Sequence, residues 1–341
     1  MVIVEYLIID NLEILSSAVK PKSNVGRSSN KKVELYGINK LRDLILELAV
    51  RGMLVPQDSN DKTAANLIEI INSEKEKLYR EGKLKKQKKL VKICQEDIPF
   101  KLPKNWEIAR LGDLSHLISK GTTPTSLGFA FETSGISFIK IENIKDGSIN
   151  QETINQFISQ ETNRALARSQ LQEGDILFSI AGTIGKTAIV AKEDLPSNTN
   201  QALAFIRGSK SAYLPRYLQI QLDSFVAEET RKKARGGAML NVSLGDLKEL
   251  IAPLPPLAEQ RQIVDKVDNL MSICDQLEKE QYTSIETHNS LITSLLKTIV
   301  SATINDTQFA KTWQTIRDNF DILFTTESDV DQLKQTIIQL A

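Results

Sequence analysis

The chain has 341 residues, 41% hydrophobic and 25% charged, with 43 Lys and Arg balanced by 43 Asp and Glu. This length accommodates two domains, or one domain and an extended element, and the composition excludes a disordered or fibrous chain. No apolar run approaches the ~20 residues of a membrane span, and two distant cysteines, Cys94 and Cys274, exclude a disulfide framework and suit a reducing cytoplasm.

The start, Met1-Val2-Ile3-Val4-Glu5, has an early acid and no basic leader, so no signal peptide is expected. Ile38, Leu41, Leu44, Ile45 and Leu48 share one face and predict a helix over 38–49, ended by Gly52 and Pro56. Leu67, Ile70, Ile71 and Leu78 predict a second helix from about Thr63 to Arg80, stopped by Gly82. Residues 83–103 are Lys-rich, then proline-bounded, and read as a linker. From residue 104 helical periodicity fades. Short apolar runs between glycines predict strands at Ile136–Ile141, Asp175–Ile180, Thr187–Ala191 and Ala202–Ile206, followed by a helix over Leu214–Ala234. The stretch 104–252 is therefore a mixed α/β globule, large enough for its own core.

Pro253, Pro255 and Pro256 then forbid a helix up to that point. Pro256 suits a first helical turn, and Glu259 sits where a carboxylate favours a helix N-terminus. Ile263, Val267, Leu270, Cys274 and Leu277 alternate spacings of four and three, the seam of a coiled coil. The seam slips near Tyr282 and resumes through Ile285, His288, Ile292, Leu295 and Ile299. A helix from Pro256 to about Ala302 is roughly 70 Å long and needs another helix along it. An interrupted repeat also shows. Asp10-Asn11-Leu12-Glu13-Ile14-Leu15 returns as Asp318-Asn319-Phe320-Asp321-Ile322-Leu323, and Leu41–Ala49 returns as Leu333–Ala341. The expected organisation is an N-terminal helical region and linker (1–103), a globule (104–255), a spacer helix (256–303) and the start of a second N-terminal-type repeat (304–341). The fold class is α+β, a mixed globule mounted on long coiled-coil-type helices.

Charge is local. Residues 75–92 carry nine Lys or Arg against Glu76 and Glu81, and Arg231, Lys232, Lys233 and Arg235 form a second cluster. Phosphate contact and a solvated helix face both account for the first cluster. After the second, Gly236-Gly237 either allows close backbone approach to a ligand or simply stops a helix. Phosphate contacts from Arg231–Arg235 would position DNA, while Asn or Gln side chains, Asn241 among them, could read adenine edges. Gly182-Thr183-Ile184-Gly185-Lys186-Thr187 resembles a phosphate loop, but the required first glycine falls at Ile180, so a strand–turn–strand is the better reading. His116 and His288 have no partners at metal-ligand spacing. His288 lies on the seam, where a polar residue sets register. Trp106 reads as packing at the base of the globule.

A family resemblance joins these pieces. Pro253-Leu254-Pro255-Pro256-Leu257-Ala258-Glu259-Gln260-Arg261-Gln262-Ile263-Val264 before a long helix resembles the specificity subunits of type I restriction-modification enzymes. Asn105-Trp106-Glu107-Ile108-Ala109-Arg110-Leu111-Gly112-Asp113 is similar to the opening of their target recognition domains. Gly121-Thr122-Thr123-Pro124, Gly174-Asp175-Ile176-Leu177-Phe178-Ser179 and Asn200-Gln201 continue the match. Leu35–Ile38 and Val50–Gln57 resemble the N-terminal region, so the likeness runs along nearly the whole chain in order.

The resemblance implies a non-catalytic, cytoplasmic subunit. It reads one half of a bipartite site in double-stranded DNA and directs modification (methyltransferase) and restriction subunits. S-adenosylmethionine and ATP belong to those partners, and no cofactor, metal or membrane contact is expected of this chain. Full-length members carry two recognition domains and this chain carries one, so a second copy of itself is an expected partner. The expected DNA-contacting residues are Lys120, Thr122, Lys140, Asn143, Lys186, Arg231, Lys232, Lys233, Arg235 and Asn241. The rival readings are a coiled-coil scaffold with a protein-binding globule and a phosphotransferase built on Gly182–Thr187.

Overall fold

The computed structural model describes residues 18–21, 33–58, 63–86, 89–94, 97, 98, 100–224, 241–301 and 307–340. The chain is α+β and divides into two compact units, one built on residues 41–271, the other on 272–341 with the described residues before Leu41. In the second unit, β1 (Lys20–Pro21) pairs antiparallel with β2 (Val33–Glu34). Helix α1 (Tyr36–Val50) buries Ile38, Leu41, Ile45 and Leu48, the three- and four-residue spacing of one helical face. Helix α2 (Ala65–Arg80) buries Leu67, Ile71 and Lys75, whereas Ile70, expected on the apolar face, is exposed.

The inward Lys75 is a departure from a solvated basic stretch. Its Nζ donates to the carbonyls of Gly112 at 2.9 Å and Asp113 at 2.6 Å, in the short helix Leu111–Leu114 near the start of the globule. Burial lowers the Lys75 ammonium to about 8, against the raising effect of Asp113. The unfolded lysine titrates near 10.4, so between these values the unfolded chain binds the proton and the folded chain does not. Stability therefore rises as pH climbs through that window. Urea unfolding of wild type and Lys75→Met in parallel should show a gain of about 2–3 kcal/mol from pH 7.5 to 10.5 in the difference between them. A flat difference would mean the ammonium is solvated.

The globule contains β3 (Glu107–Arg110), α3 (Leu111–Leu114), β4 (Ser115–Lys120), β5 (Ile136–Ile139), β6 (Ile144–Lys145), β7 (Ser148–Ile149) and β8 (Phe157–Ile158). It continues with α4 (Gln160–Ala165), β9 (Ile176–Ser179), β10 (Thr187–Ile189), β11 (Ser197–Thr199), β12 (Leu203–Gly208), α5 (Pro215–Asp223), α6 (Leu244–Lys248) and β13 (Ile251–Leu254). The four strands expected from apolar runs are β5, β9, β10 and β12, with ends one or two residues different. Strands β10, β9, β12 and β4 form an antiparallel sheet in that order. A second sheet has the order β11, β5, β8, with β11 parallel to β5. The core joins Leu177, Ala188, Leu203 and Phe205 of the first sheet to Ile139, Ile144 and Ile149. Strands β6 and β7 are linked by Asp146 (φ 49°) and Gly147 (φ 76°), the two positive φ values of a tight hairpin turn. Helix α5 covers the start of the helix expected over Leu214–Ala234, and residues 225–240 lie outside the described residues.

The start of the proline run is itself strand, since Pro253 lies within β13. β13 pairs antiparallel with β3, Ile251 opposite Arg110 and Leu254 opposite Glu107, so the two ends of the globule close on each other. Helix α7 (Leu257–Ser301) starts from this seam. Glu259, 2% exposed, accepts from Trp106 Nε1 at 2.8 Å and from the Gln57 amide. Gln260 is buried; its Nε2 donates to Ala212 O and Pro255 O, each at 3.0 Å, and its Oε1 accepts from Leu214 N at 2.9 Å. The Glu-Gln pair thus latches the helix to the globule, a role beyond the N-terminal charge effect expected of Glu259.

In the second unit, Ile292, Leu296 and Ile299 of α7 pack with Ile316 of α8 (Thr307–Asp318), Leu323 of α9 (Phe320–Leu323) and Leu333 of α10 (Glu327–Leu340). His288 Nε2 lies 3.1 Å from the Leu323 carbonyl, so its partner here is the end of α9 in its own unit. The repeat copies at 41–49 and 333–340 are both helical, whereas the copy at 10–15 lies outside the described residues. Among the described residues, no helix is long and apolar enough to cross a membrane.

Candidate nucleic-acid interface

Strand register places several chain turns at one end of the four-stranded sheet. Thr187 lies opposite Phe178, Phe178 opposite Ala204, and Ala204 opposite Lys120, a row across all four strands. Just beyond it, Gly121 N donates to Leu203 O, Ile180 N to Ala202 O at 2.9 Å, and Ser179 N to Lys186 O at 2.9 Å. The turns 121–123, 181–186 and 200–202 therefore emerge together. Asn241 joins them by bridging to Ala181, with Val242 N donating to Ile180 O at 2.9 Å. In the second sheet Thr199 lies opposite Ile139, which brings Lys140 alongside Asn200.

This rim gathers five of the residues expected to touch DNA. Lys120, Lys186 and Asn241 are exposed, and Thr122 and Lys140 are half-buried. Lys140 Nζ stands 3.5 Å from Glu142 and 5.8 Å from the centroid of the Phe131 ring, so it is held in place. Lys186 is set by its backbone, whose N–H donates to Ser179 Oγ at 2.7 Å, and its Nζ lies 3.5 Å from Ile144 O. Asn143 is placed differently. It is 2% exposed, its Oδ1 accepts from Lys140 N at 2.8 Å, and its Nδ2 donates to Thr153 O at 2.8 Å. Both ends of its amide serve the loop that carries Lys140, so it holds the rim from behind and cannot also read a base. Arg231, Lys232, Lys233 and Arg235 lie outside the described residues, as do Gly236 and Gly237.

Residues 180–186 connect the antiparallel neighbours β9 and β10, as the strand–turn–strand reading requires, with Gly182 at φ 70° and Gly185 at φ 92°. A strand follows and not a helix, so the phosphotransferase loop is not built. Ser179 Oγ spans the turn, donating to Thr183 O at 2.5 Å and accepting from Lys186 N. Sequence reasoning missed Gln201 and Thr123. Gln201 is exposed on the rim and its Oε1 accepts from Thr123 Oγ1. The Asn-Gln dipeptide was the available signal. Gly121 permits this contact: a Cβ there would lie 1.8 Å from Thr199 O and 2.6 Å from Asn200 O.

The opposite end of the sheet is closed by one ion pair and a histidine–carboxylate contact. Asp175, 1% exposed, accepts from Arg207 Nε at 2.7 Å and Nη2 at 2.6 Å. His116 Nε2 lies 2.9 Å from Glu74 on α2. Burial lowers the His116 imidazole from its ordinary value despite the opposing Glu74 carboxylate. Among the described residues, no group of three or more His, Cys, Asp or Glu lies where it could hold a metal ion.

Known proteins share this arrangement of sequence. The chain is 35% identical to the type I restriction enzyme EcoEI specificity subunit of Escherichia coli, over 99% of this chain and 56% of that subunit. It is 36% identical to the EcoAI specificity subunit of the same organism, over 99% of this chain and 57% of that one. The chain thus spans a little over half the length of these relatives. The crystal structure of the HsdS subunit from Thermoanaerobacter tengcongensis is 23% identical, with a TM-score of 0.47 over 61% of this chain and 52% of that chain. The model of the type I restriction modification DNA specificity domain matches residues 103–287, which include every strand of the globule and its latch to α7. With more than half of its length inside that match, the chain belongs to the type I restriction modification DNA specificity family.

Proposed function

We propose that this chain is the DNA-reading part of a cytoplasmic type I restriction-modification system and performs no chemistry itself. The observation that carries this reading is the gathering of Lys120, Thr122, Lys186 and Asn241 at one rim of the four-stranded sheet, with Lys140 of the second sheet brought alongside. Lysines there contact phosphates and position the duplex, and amide side chains between them reach base edges. Arg231, Lys232, Lys233 and Arg235 belong to the same proposed interface by their position in the sequence shortly before Asn241. Modification subunits bind the chain and restriction subunits join through them. S-adenosylmethionine and ATP are held by those partners, and this chain takes no cofactor of its own.

Changing Lys120, Lys140 and Lys186 together to alanine is expected to weaken duplex binding. The slope of log K against log salt should become shallower by about 0.9 for each phosphate that is no longer neutralised. An unchanged slope would place DNA elsewhere on the molecule. The same purified chain should leave DNA unmethylated and uncut and ATP unhydrolysed.

A second copy of the chain is part of this reading. Ile273, Tyr282 and Leu291 leave apolar side chains exposed on α7, 49%, 40% and 49% respectively. One globule per chain supplies one half-site reader, and a two-fold pair would read a palindrome with a fixed gap. Sedimentation at micromolar concentration with the modification subunits should give two copies of this chain per complex. A single copy under all conditions would contradict the pairing.

A further inference from the structure

Gln201 is not among the residues that sequence reasoning expected to touch DNA, yet it is an exposed amide on the rim that is held from behind. Asn200 precedes it, half-buried, and turns the chain outward by accepting from Ala202 N at 3.1 Å through its Oδ1. Facing it is the 121–123 turn, which approaches so closely that only a glycine fits at position 121. Thr123 is anchored in that turn, its carbonyl accepting from Ser126 Oγ at 2.7 Å and Ser126 N at 3.1 Å. The Thr123 hydroxyl donates to Gln201 Oε1.

That bond decides what Gln201 offers to a ligand. A free glutamine pairs with adenine by using oxygen and nitrogen together, accepting from N6 and donating to N7. Here one of the oxygen's two lone pairs is taken from behind by Thr123, which turns that oxygen away from a ligand and weights the exposed amide toward its two N–H donors. In the major groove guanine shows adjacent acceptors, N7 and O6, with no donor between them. We propose that Gln201 reads a guanine, and that Thr123 is the positioning residue that makes it choose guanine over adenine. This rests on the reading that the rim faces DNA.

The test uses the full chain. Duplexes selected from a random library by the wild-type protein define its target. Each guanine is then replaced in turn by adenine or by 7-deazaguanine, which lacks the N7 acceptor. At one position both replacements should weaken wild-type binding by about 5- to 100-fold, the range of one good base contact. In Gln201→Ala the same replacements should change affinity less than about 2-fold. Thr123→Val keeps the glutamine but frees its oxygen, so the guanine preference at that position should be lost and adenine should bind as well as guanine or better. This second variant decides the matter if Gln201→Ala fails to fold. A wild-type chain that selects no sequence overturns both the inference and the reading beneath it. A selective wild type whose guanine preference survives unchanged in both variants overturns the inference alone.

Discussion

Asp175→Ala is expected to lower the unfolding free energy by about 3–5 kcal/mol, the range for removing one partner of a buried ion pair. Asp175 is fully enclosed and uses both oxygens on Arg207, while Oδ2 also accepts from Gln172 N at 2.8 Å. Without it, the Arg207 guanidinium keeps only the Gln170 carbonyl at 3.2 Å and the face of Phe205 at 5.4 Å. Its side chain is only 23% exposed, so water compensates poorly for the missing carboxylate. Urea unfolding of Asp175→Ala, Arg207→Ala and the double variant should give a double variant less destabilised than the sum of the singles. A single-variant loss below about 1 kcal/mol would mean the pair behaves as a surface one. The pair lies at the end of the sheet away from the rim, so the folded fraction should bind DNA as before.

Gly121→Ala is expected to damage both stability and reading. The added carbon would sit 1.8 Å from Thr199 O and 2.3 Å from Thr199 C, and backbone atoms cannot swing aside as a flexible side chain can. The 121–123 turn must therefore move off the 199–201 turn. Overpacking of this kind costs about 1–3 kcal/mol and sometimes more. Lys120 and Thr122 move with the turn, and Thr123 leaves Gln201. Discrimination between target and non-target duplexes should fall by about 10-fold or more, one base contact's worth, while salt-dependent non-specific binding persists. Gly128 is the contrast. A Cβ there meets nothing within 4 Å, so Gly128→Ala should cost only the ~1–2 kcal/mol of its positive φ. Equal effects from the two substitutions would show that the turns are not in register-critical contact.

Local pattern carried the elements whose residues interact with near neighbours in sequence. The seam residues Ile263 to Ile299 announced α7, observed as Leu257–Ser301, and apolar runs announced β5, β9, β10 and β12. Strands β3, β8, β11 and β13 were not legible, because their reason for existing is a partner far away in sequence. Pro253 could be read as a helix breaker, but not as a strand residue opposite Ile108. The rim was legible as residue types and not as a place: Lys120, Lys186 and Asn241 are far apart in sequence and meet only through sheet register. Asn143 looked like a reader because its type fits a base edge, and nothing local to it shows that Thr153 occupies its amide. Lys75 looked like one more surface charge, since its two acceptors are backbone carbonyls, which sequence pattern never marks.

The row of buried polar side chains beneath the rim has a consequence for how such a surface can be changed. Ser179 ties the 181–186 turn, Asn143 ties the Lys140 loop, and Thr199 Oγ1 donates to Ile139 O at 2.9 Å within the second sheet, from β11 to β5. Asn198, wholly enclosed, donates to Asn163 Oδ1 at 2.9 Å and to Leu166 O at 3.3 Å. These groups shape the turns, whereas the outward side chains of Thr183 and Asn241 hold up nothing in the described structure. On the proposed DNA-binding reading, holding the turns and contacting the duplex thus fall to separate residues. Such a division makes the surface a replaceable face on a fixed mount: new side chains at outward positions can alter the sequence preferred, with stability changes of about 0.5 kcal/mol or less, and retargeting does not require refolding.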